Sequence, residues 1–496
     1  MANKLLMRKT LCLAVLLTVA DVVAPTGTIH KILKRSIDSN EGIGNVPINE
    51  CLNDSIDGCR ESLFSYRTER ELSQDSTKSL KLNEEPKYDF DQISDKDYEL
   101  FLSSNKSNWE ARGQETTLRQ VILIHRHGDR TPITFPANDS LANEPFWKFH
   151  GLGQLTNRGK SRLHMFGQIL RLRYDKFLGS SVNKNSRKTR ASGSLRCIES
   201  AQLVLSSFLN LDSPNSPDAR LLVWDKKQDL LANIWQPASV NTLAAKFDGM
   251  LNEGAQCNAL DDEYNTLDKS EMFEQVNQEF KHEAEVLKEV IGFEIDHFYK
   301  WFWASSVIEV ERSYFANKMD PRILEIYDRV TLAGEKMLNL FQSTVKSRRL
   351  RAGLLINDMI DNMKKFRDLT EYGETSVDKT FVKKFVHYSA HDINLVFLLG
   401  MFGALDKFPW RPDYASNIMI ELHQNAADEW FVKLFYMPYV PSVIYEVPLE
   451  ACGKKGSCTL DQFEKLMQPY MIDNWQQWMK ECNNDLYLVN PYSENS

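Results

Sequence analysis

Histidine and arginine side chains crowd one short stretch of the chain. The apolar run Val121-Ile122-Leu123-Ile124 leads directly into His125-Arg126-His127-Gly128-Asp129-Arg130-Thr131-Pro132. Arg126 and Arg130 carry permanent positive charges on planar donor forks that suit phosphate oxygens. The same charges favour the neutral form of His127, and a neutral imidazole beside a bound phosphate is a nucleophile for phosphorus. The spacing therefore predicts a phosphate site with His127 as the attacking group.

A second cluster has the same context. The run Phe385-Val386-His387-Tyr388 leads into Ser389-Ala390-His391-Asp392, and a helical pattern follows. His391 would add a donor to a bound phosphate. Asp392 would protonate the departing alkoxide, which needs a carboxyl with a usable proton and favours acid pH. Because the carboxyl ends of parallel strands meet at one edge of a sheet, we expect the two clusters to converge.

The elements around these clusters predict an α/β fold, a mainly parallel sheet flanked by helices. A continuous apolar run such as residues 121–124 is typical of a strand buried on both faces. Apolar periodicity predicts helices over residues 155–177, 196–209 and 354–363, and strands at 381–388, 418–422 and 430–436.

The order of these elements also predicts the domain organisation. Helical patterns dominate from about residue 215 to 345, between two regions that contain strands. We therefore place the domain at residues 116–485, with an α/β core at about 116–212 and 345–485 and a smaller helical insertion at about 213–344.

The N-terminal residues have the pattern of a secretory signal peptide. Three basic residues precede the apolar run Leu11–Ala20, and Asp21 ends it. This run is too short to cross a bilayer as a helix, which needs about 20 residues. We therefore predict a signal peptide over residues 1–20, with a retained signal anchor as the alternative. The expectation is a secreted, extracellular protein, in preference to one of the lysosomal lumen, without a stable membrane anchor.

Composition excludes several classes of protein. The chain has 60 Lys and Arg against 68 Asp and Glu, a net charge of −8, which argues against nucleic acid as a partner. Its 42% of hydrophobic residues are enough for a sizeable core. Residues 21–115, rich in Ser, Asp, Glu, Lys and Asn, predict a polar, poorly ordered extension, and residues 486–496 a C-terminal tail.

Cysteines and glycosylation sequons agree with an oxidising compartment. Without the signal peptide, seven cysteines are left, so at least one thiol has no intramolecular partner. Cys51 and Cys59, like Cys452 and Cys458, are close enough in sequence to close small loops. Asn53, Asn105 and Asn138 each begin an N-x-S/T sequon and are predicted glycan sites. The chain has no C-x-x-C or H-E-x-x-H spacing that would indicate zinc.

The first cluster also resembles a family motif. Arg126-His127-Gly128-x-Arg130-x-Pro132 is similar to the R-H-G-x-R-x-P motif of the histidine acid phosphatases, a branch of the histidine phosphatase superfamily, and His391-Asp392 is similar to their distal H-D pair. The surroundings resemble the prostatic and lysosomal types, and the resemblance covers roughly residues 117–485. It implies an acid phosphatase that hydrolyses phosphate monoesters through a phosphohistidine on His127. Asp392 would be the proton donor, and no metal or organic cofactor would be needed.

The resemblance implies further residue roles. Arg126, Arg130, His391 and a third arginine would neutralise the phosphate oxygens. The relatives carry an R-S-T-D-x-D-R-like stretch where this chain has residues 190–196, which makes Arg190 the match. The expected substrate is a small phosphomonoester or a phosphoprotein, and dimers among relatives make a homodimer an open expectation. Gly193 and Leu195 replace two acids of the family, and Leu163 and Asn241 stand at common histidine positions.

The resemblance also suggests how the cysteines pair. It implies disulfides Cys257–Cys482 and Cys452–Cys458, to which spacing alone adds Cys51–Cys59. Cys197 is then the odd thiol.

Two other interpretations stay open. His125-x-His127-x-Asp129 resembles part of the H-x-H-x-D-H ligand set of metallo-β-lactamase-like hydrolases. That motif requires histidine where this chain has Arg130, and Arg126 would repel a metal cation. The other interpretation is a secreted glycoprotein, similar to a toxin or an allergen, that binds phosphorylated ligands with little turnover.

Overall fold

The computed structural model describes residues 117–179, 186–209, 237–371, 383–408, 411–453 and 457–484. Its strands are β1 (Leu118–Arg126), β2 (Arg187–Ala191), β3 (Phe385–Ala390), β4 (Asn417–Gln424), β5 (Trp430–Met437), β6 (Tyr445–Val447) and β7 (Cys458–Thr459). Its α-helices are α1 (Pro145–His150), α2 (Asn157–Leu178), α3 (Leu195–Phe208), α4 (Asn258–Leu267), α5 (Glu271–Glu279), α6 (Lys281–Ile291), α7 (Phe298–Phe315), α8 (Pro321–Phe341), α9 (Val345–Glu371), α10 (Asp392–Met401), α11 (Leu460–Met467) and α12 (Trp475–Glu481).

Several sequence-based expectations lie outside these residues. They are the signal peptide at 1–20, the extension at 21–115, the Cys51–Cys59 bridge, the sequons at Asn53 and Asn105, and the tail at 486–496.

The strands form one mixed sheet in the order β2-β3-β1-β4-β5-β6, and β7 pairs with β5. β2, β3 and β1 are parallel, whereas β4, β5, β6 and β7 pair in antiparallel fashion. The α/β fold with a parallel core is therefore confirmed, and the antiparallel strands extend it on one side. The predicted strands at residues 418–422 and 430–436 correspond to β4 and β5, which pair as an antiparallel hairpin.

The apolar run of β1 is continuous because both faces of the sheet are covered. Ile122 and Ile124 belong to one hydrophobic cluster, which includes side chains of α7 to α10. Val121 and Leu123 belong to a second cluster on the opposite face, with side chains of α2 and α3. Since successive side chains of a strand point to opposite faces, a strand between two helical layers needs an apolar residue at every position.

The helices between and after these strands are of the type that the sequence predicts, although their lengths differ. α4 to α8 supply the helices expected of an insertion, whose boundaries stay a prediction. α9 is much longer than the predicted helix over residues 354–363 because polar and charged residues extend it at both ends. Within the described ranges, the longer helices include none that is apolar enough to traverse a lipid bilayer.

The structure contains disulfides Cys257–Cys482 and Cys452–Cys458, and Cys197 is a buried free thiol on α3. The first bridge ties the start of α4 to the end of α12. Asn138, the one sequon asparagine within the described residues, is exposed. Its position is accessible to a glycan, while glycosylation itself stays a prediction.

Glu311 on α7 is buried together with Asp139, a residue of the loop before α1; their exposed fractions are 3% and 9%. Burial raises the pKa of Glu311 to about 10, and a hydrogen bond to Asp139 and the charge of Asp139 add to the shift. An acid with a higher pKa in the folded state than in the unfolded state must take up a proton on folding between those two values. Its contribution to stability is therefore present at acid pH and declines as pH rises above about 4.5.

We predict that Glu311→Gln stabilises the protein at pH 7.5 more than at pH 5. The amide is neutral at every pH and can donate a hydrogen bond as the protonated acid does. Tm measured by circular dichroism should rise by about 2 °C or more at pH 7.5 and by less at pH 5. Glu325→Gln, at an exposed position on α8, is the matched control and should change Tm at neither pH. An equal effect of Glu311→Gln at both pH values would contradict this explanation.

Candidate active site

The parallel strands bring the two sequence clusters to one edge of the sheet. β1 ends at Arg126, which is in register with Ala390 at the end of β3. The His127 N–H donates to the Ala390 carbonyl at 3.0 Å, and the Ala415 N–H donates to the His127 carbonyl at 3.1 Å. His127 is thereby fixed between the end of β3 and the segment that enters β4.

Two glycines set the close contact between this loop and α2. A Cβ atom at Gly128 would lie 2.7 Å from both the Gly159 carbonyl oxygen and Leu163 Cδ1. A Cβ atom at Gly159 would lie 2.2 Å from the Asp129 carbonyl oxygen. Neither position tolerates a side chain without movement of the backbone. The loop therefore lies directly on the first turns of α2, and Leu163 packs against it.

His127 is a neutral imidazole with a defined tautomer. Its Nδ1 lies 2.9 Å from the Gly128 carbonyl oxygen, and since a carbonyl only accepts, Nδ1 carries the proton and donates. The Nε2 lone pair is then available. Burial lowers the pKa of His127 well below its usual value, and the charges of Arg196, Arg126 and Arg130 lower it further. These are the properties of an imidazole nucleophile.

Asp392 forms a buried ion pair with Arg126, 2.8 Å between Oδ2 and Nη2. Burial alone would raise the pKa of Asp392, but the charges of Arg126, Arg411 and Arg130 outweigh it and lower the pKa to about 2. The position of Asp392 in the first turn of α10 also favours the negative charge. Asp392 is therefore ionised in the free protein even at acid pH.

Neutral acceptors hold the arginines of this edge in place. Arg126 Nη1 donates to the Pro412 carbonyl at 2.8 Å, and its guanidinium carbon lies 4.2 Å from the ring centroid of Tyr414. Arg130 donates to the Thr131 carbonyl at 3.1 Å and to Ser306 Oγ of α7 at 2.9 Å. The helical region thus contributes directly to the site through α7.

His391 is oriented by hydrogen bonds to both ring nitrogens. Arg196 Nη2 donates to Nδ1 at 3.3 Å, which leaves the Nε2–H to donate to Ser192 Oγ at 2.9 Å. Burial lowers the pKa of His391 to about 3, and the charge of Arg196 acts in the same direction. The ring of His391 packs edge-on against that of His127, with 5.6 Å between centroids.

Arg190, the match that the family motif implies, lies on β2. Its guanidinium donates to the buried carboxylate of Asp248 at 2.7 Å. Arg190 is in register with Tyr388, two residues before the end of β3, whereas Arg196 lies in the first turn of α3, beyond the end of β2. Arg196 donates to His391, which makes it a second candidate for the third arginine, while the assignment of Arg190 to the phosphate site stays a prediction. The sequence contained the relevant information, since Arg196, like His391, follows the end of a strand.

The arginine cluster is suited to a tetrahedral anion. Arg126, Arg130 and Arg196 each keep a buried Nε–H with no hydrogen-bond partner in the described part of the chain. A buried unpaired donor is costly, and several such donors around one imidazole favour a ligand with several negatively charged oxygens.

The potential metal ligands of the alternative interpretation point to other partners. His125 Nδ1–H donates to the Arg126 carbonyl at 2.8 Å, and His125 Nε2 contacts His387 Nε2 at 2.9 Å. The Asp129 carboxylate binds both Nε and Nη2 of Arg162, at 2.7 and 3.0 Å. Among the described residues, no three His, Cys, Asp or Glu side chains form a group that could hold a metal ion.

The other departures from the family pattern lie beside the cluster. A Cβ atom at Gly193 would lie 2.1 Å from the Leu243 carbonyl oxygen, so this position requires glycine. Leu195 is 62% exposed. Asn241 is exposed and pairs through its backbone with Thr189 and Ala191 of β2.

Comparisons with known proteins agree with this geometry. The family model described as histidine phosphatase superfamily (branch 2) matches residues 117–437. Prostatic acid phosphatase of Rattus norvegicus is 28% identical over 380 residues, which cover 75% of this chain and 90% of that protein. Lysosomal acid phosphatase of Bos taurus is 26% identical, covering 75% of this chain and 81% of that protein. Among solved structures, the phytase from Citrobacter braakii has a TM-score of 0.50 at 16% identity, covers 74% of this chain and 99% of its own, and shares the fold.

We predict that Arg196→Gln weakens the binding of inorganic phosphate about tenfold or more, because one charge-assisted hydrogen bond is worth roughly 1.5–3 kcal/mol. The matched variant Arg190→Gln should instead lower Tm, because it removes the cation that is paired with the buried carboxylate of Asp248, and should change phosphate affinity less. Isothermal titration calorimetry and thermal denaturation of both variants separate the two effects. Weakened binding in Arg190→Gln alone would assign Arg190 to the site instead.

Proposed function

The chain belongs to branch 2 of the histidine phosphatase superfamily and is an acid phosphatase, and from that premise we propose that it hydrolyses phosphate monoesters through a phosphohistidine on His127. The observation that carries the proposal is the Nδ1–H of His127 bonded to Gly128, which leaves Nε2 as a lone-pair donor beside the arginine cluster. A neutral nucleophile beside cationic anion-binding groups is the arrangement that phosphoryl transfer to imidazole needs.

In the first step, Nε2 of His127 attacks phosphorus in line with the ester oxygen. The P–N bond forms as the P–O bond to the alcohol breaks, and protonated Asp392 gives its proton to the departing oxygen. Arg126, Arg130 and Arg196 bind the equatorial oxygens, where charge spreads in the transition state. Because these guanidinium groups are already fixed, little reorganisation is needed during the reaction.

In the second step, water attacks the phosphohistidine. The Asp392 carboxylate accepts a proton from this water, the P–N bond breaks, and its electron pair returns to Nε2. Phosphate leaves, and His127 is again neutral. Asp392 thus alternates between acid and base in the two halves of the reaction.

The proton for the first step arrives with the substrate. Asp392 is ionised in the free protein, with a pKa lowered to about 2 by the surrounding arginines despite its burial. A phosphate monoester has a second pKa of about 6 and carries one proton below that pH. The negative charge of the bound ester also competes for Arg126 and raises the pKa of Asp392. Turnover should therefore be highest on the acid side of about pH 6.

The cellular setting remains part of the proposal. The signal-peptide pattern at residues 1–20 and the two disulfides support a secreted protein. The expected partners are small phosphomonoesters or phosphoproteins, with neither nucleic acid nor a stable membrane anchor. A homodimer stays a prediction.

We predict that His127→Ala abolishes turnover of p-nitrophenyl phosphate at pH 5, by about three orders of magnitude or more, because the group that forms the covalent intermediate is gone. His282→Ala, the same substitution at an exposed position of α6, should leave activity unchanged. Rapid acid-free quenching with 32P-labelled ester should trap the phosphohistidine in the wild type only. Retained turnover in His127→Ala would reject the nucleophile, and phosphate binding without turnover in the wild type would favour the non-catalytic glycoprotein.

We predict that Asp392→Asn slows hydrolysis of glycerol 2-phosphate by about a hundredfold or more, since an alkoxide is a poor leaving group without a proton. The loss with p-nitrophenyl phosphate should be smaller, because p-nitrophenolate departs without protonation. Steady-state kcat for both substrates provides the comparison. The same loss with both esters would argue against Asp392 as the proton donor.

A further inference from the structure

Arg411 is a second buried cation beside Asp392, and the mechanism above does not use it. Its Nη2 lies 3.8 Å from Asp392 Oδ2, and both side chains are 8% exposed. Nη1 donates to Ser305 Oγ of α7 at 3.2 Å, and the guanidinium carbon lies 5.0 Å from the ring centroid of Phe302. The guanidinium is therefore fixed against α7 on the side of Asp392.

Glu309 competes with Asp392 for this cation. Its Oε2 lies 3.5 Å from the same Nη2 atom. Glu309 follows Ser305 by one turn of α7, so both side chains lie on the face of the helix that meets Arg411. Nη2 makes no hydrogen bond to any of the described residues, so its influence on both carboxylates is mainly that of a charge.

Arg411 differs from Arg126 in the role that the proposed mechanism gives it. Arg126 binds Asp392 in the free protein but must also bind the phosphate oxygens when an ester arrives. The Nε and Nη2 atoms of Arg411 are closed to solvent, and Nη1 is engaged by Ser305. The proposed mechanism assigns no phosphate oxygen to Arg411, so in that mechanism its charge stays beside Asp392 throughout the reaction.

We propose that Arg411 and Glu309 form a charge pair that sets the pH range in which Asp392 carries the leaving-group proton. Arg411 is a positioning residue that acts through Asp392, and Glu309 moderates its charge. The inference rests on the proposed role of Asp392 as the proton donor. It gives a reason for the presence of a cation next to a group that must be protonated to work.

Other charges surround the pair and stay constant in its test. Asp392 also faces Arg126, Arg130 and His391, and Glu253 of the loop before α4. Arg411 also faces Glu335 of α8, and Arg126 faces Tyr414 and Asp413. None of these groups changes between the two variants below, so a difference between the variants reports on the Arg411–Glu309 pair.

Removing either member of the pair should move the activity profile, and in opposite directions. Without Arg411, less positive charge opposes protonation of Asp392, so the acid form persists to higher pH. Without the Glu309 charge, Arg411 acts more strongly on Asp392, so the acid form is lost at lower pH. A purely structural role of either residue would lower activity without this opposition.

The test is the pH dependence of kcat for glycerol 2-phosphate between pH 4 and 8. The midpoint of the alkaline limb should rise by about 1 pH unit in Arg411→Gln and fall in Glu309→Gln. Arg411→Lys, which keeps the charge, should lie closer to the wild type. The matched control Arg322→Gln, an arginine that pairs with Glu289 on the exposed surface, should leave the midpoint unchanged. With p-nitrophenyl phosphate, which needs no leaving-group proton, the shifts should shrink.

Two outcomes would overturn the inference: equal midpoints in wild type, Arg411→Gln and Glu309→Gln, or shifts of both variants in the same direction. If Arg411→Gln fails to fold, as judged by circular dichroism, the fall of the midpoint in Glu309→Gln decides. Failure of the proposed function would give a different result. Asp392→Asn would then lower kcat equally for glycerol 2-phosphate and for p-nitrophenyl phosphate.

Discussion

Repulsion among buried guanidinium groups is the constraint on which this site depends. Arg126, Arg130, Arg196 and Arg411 lie around His391 and Asp392 within the described structure. Most hydrogen bonds that hold these arginines in place go to neutral acceptors. These are the carbonyls of Pro412 and Thr131 and the hydroxyls of Ser305 and Ser306. A full set of carboxylates would satisfy the arginines as well, but would leave no electrostatic reason for a phosphate to bind. The positive charge that carboxylates do not neutralise is available to bind the negatively charged phosphate of a substrate.

The same constraint explains why the histidines at this edge are neutral. His127 and His391 are buried beside arginines, and burial and the neighbouring charges act together to lower the pKa of each ring. Beneath them, His125 and His387 share a hydrogen bond, and burial lowers the pKa of His125 to about 4. An imidazolium at any of these positions would add a further cation to an edge already rich in them. Neutrality is thus imposed by the surroundings, and for His127 it is also the state that the proposed attack on phosphorus requires.

The sequence predicts most of this site because apolar runs show where buried strands end. The apolar runs before His127 and His391 marked two buried strands, and parallel pairing brings their ends together. What sequence reading lacked was where β2 ends, and the choice of Arg190, which the family motif implies, stays a prediction. Arg190 is still within that strand and pairs with Asp248, whereas Arg196 lies past its end. Arg411 had no readable pattern, because its place depends on how the segment before β4 packs against α7, a helix distant in sequence.

The contribution of α7 changes how the helical region should be understood. A helical insertion beside an α/β core is usually considered a wall that shapes the substrate pocket. Here Ser306 of α7 binds Arg130, while Ser305 and Glu309 hold Arg411. The three positions fall on one face of the helix, as expected for spacings of three and four residues. A shift of α7 relative to the sheet would therefore alter the charge balance around Asp392, so the packing of this helix bears on the proton transfer that we propose for that residue.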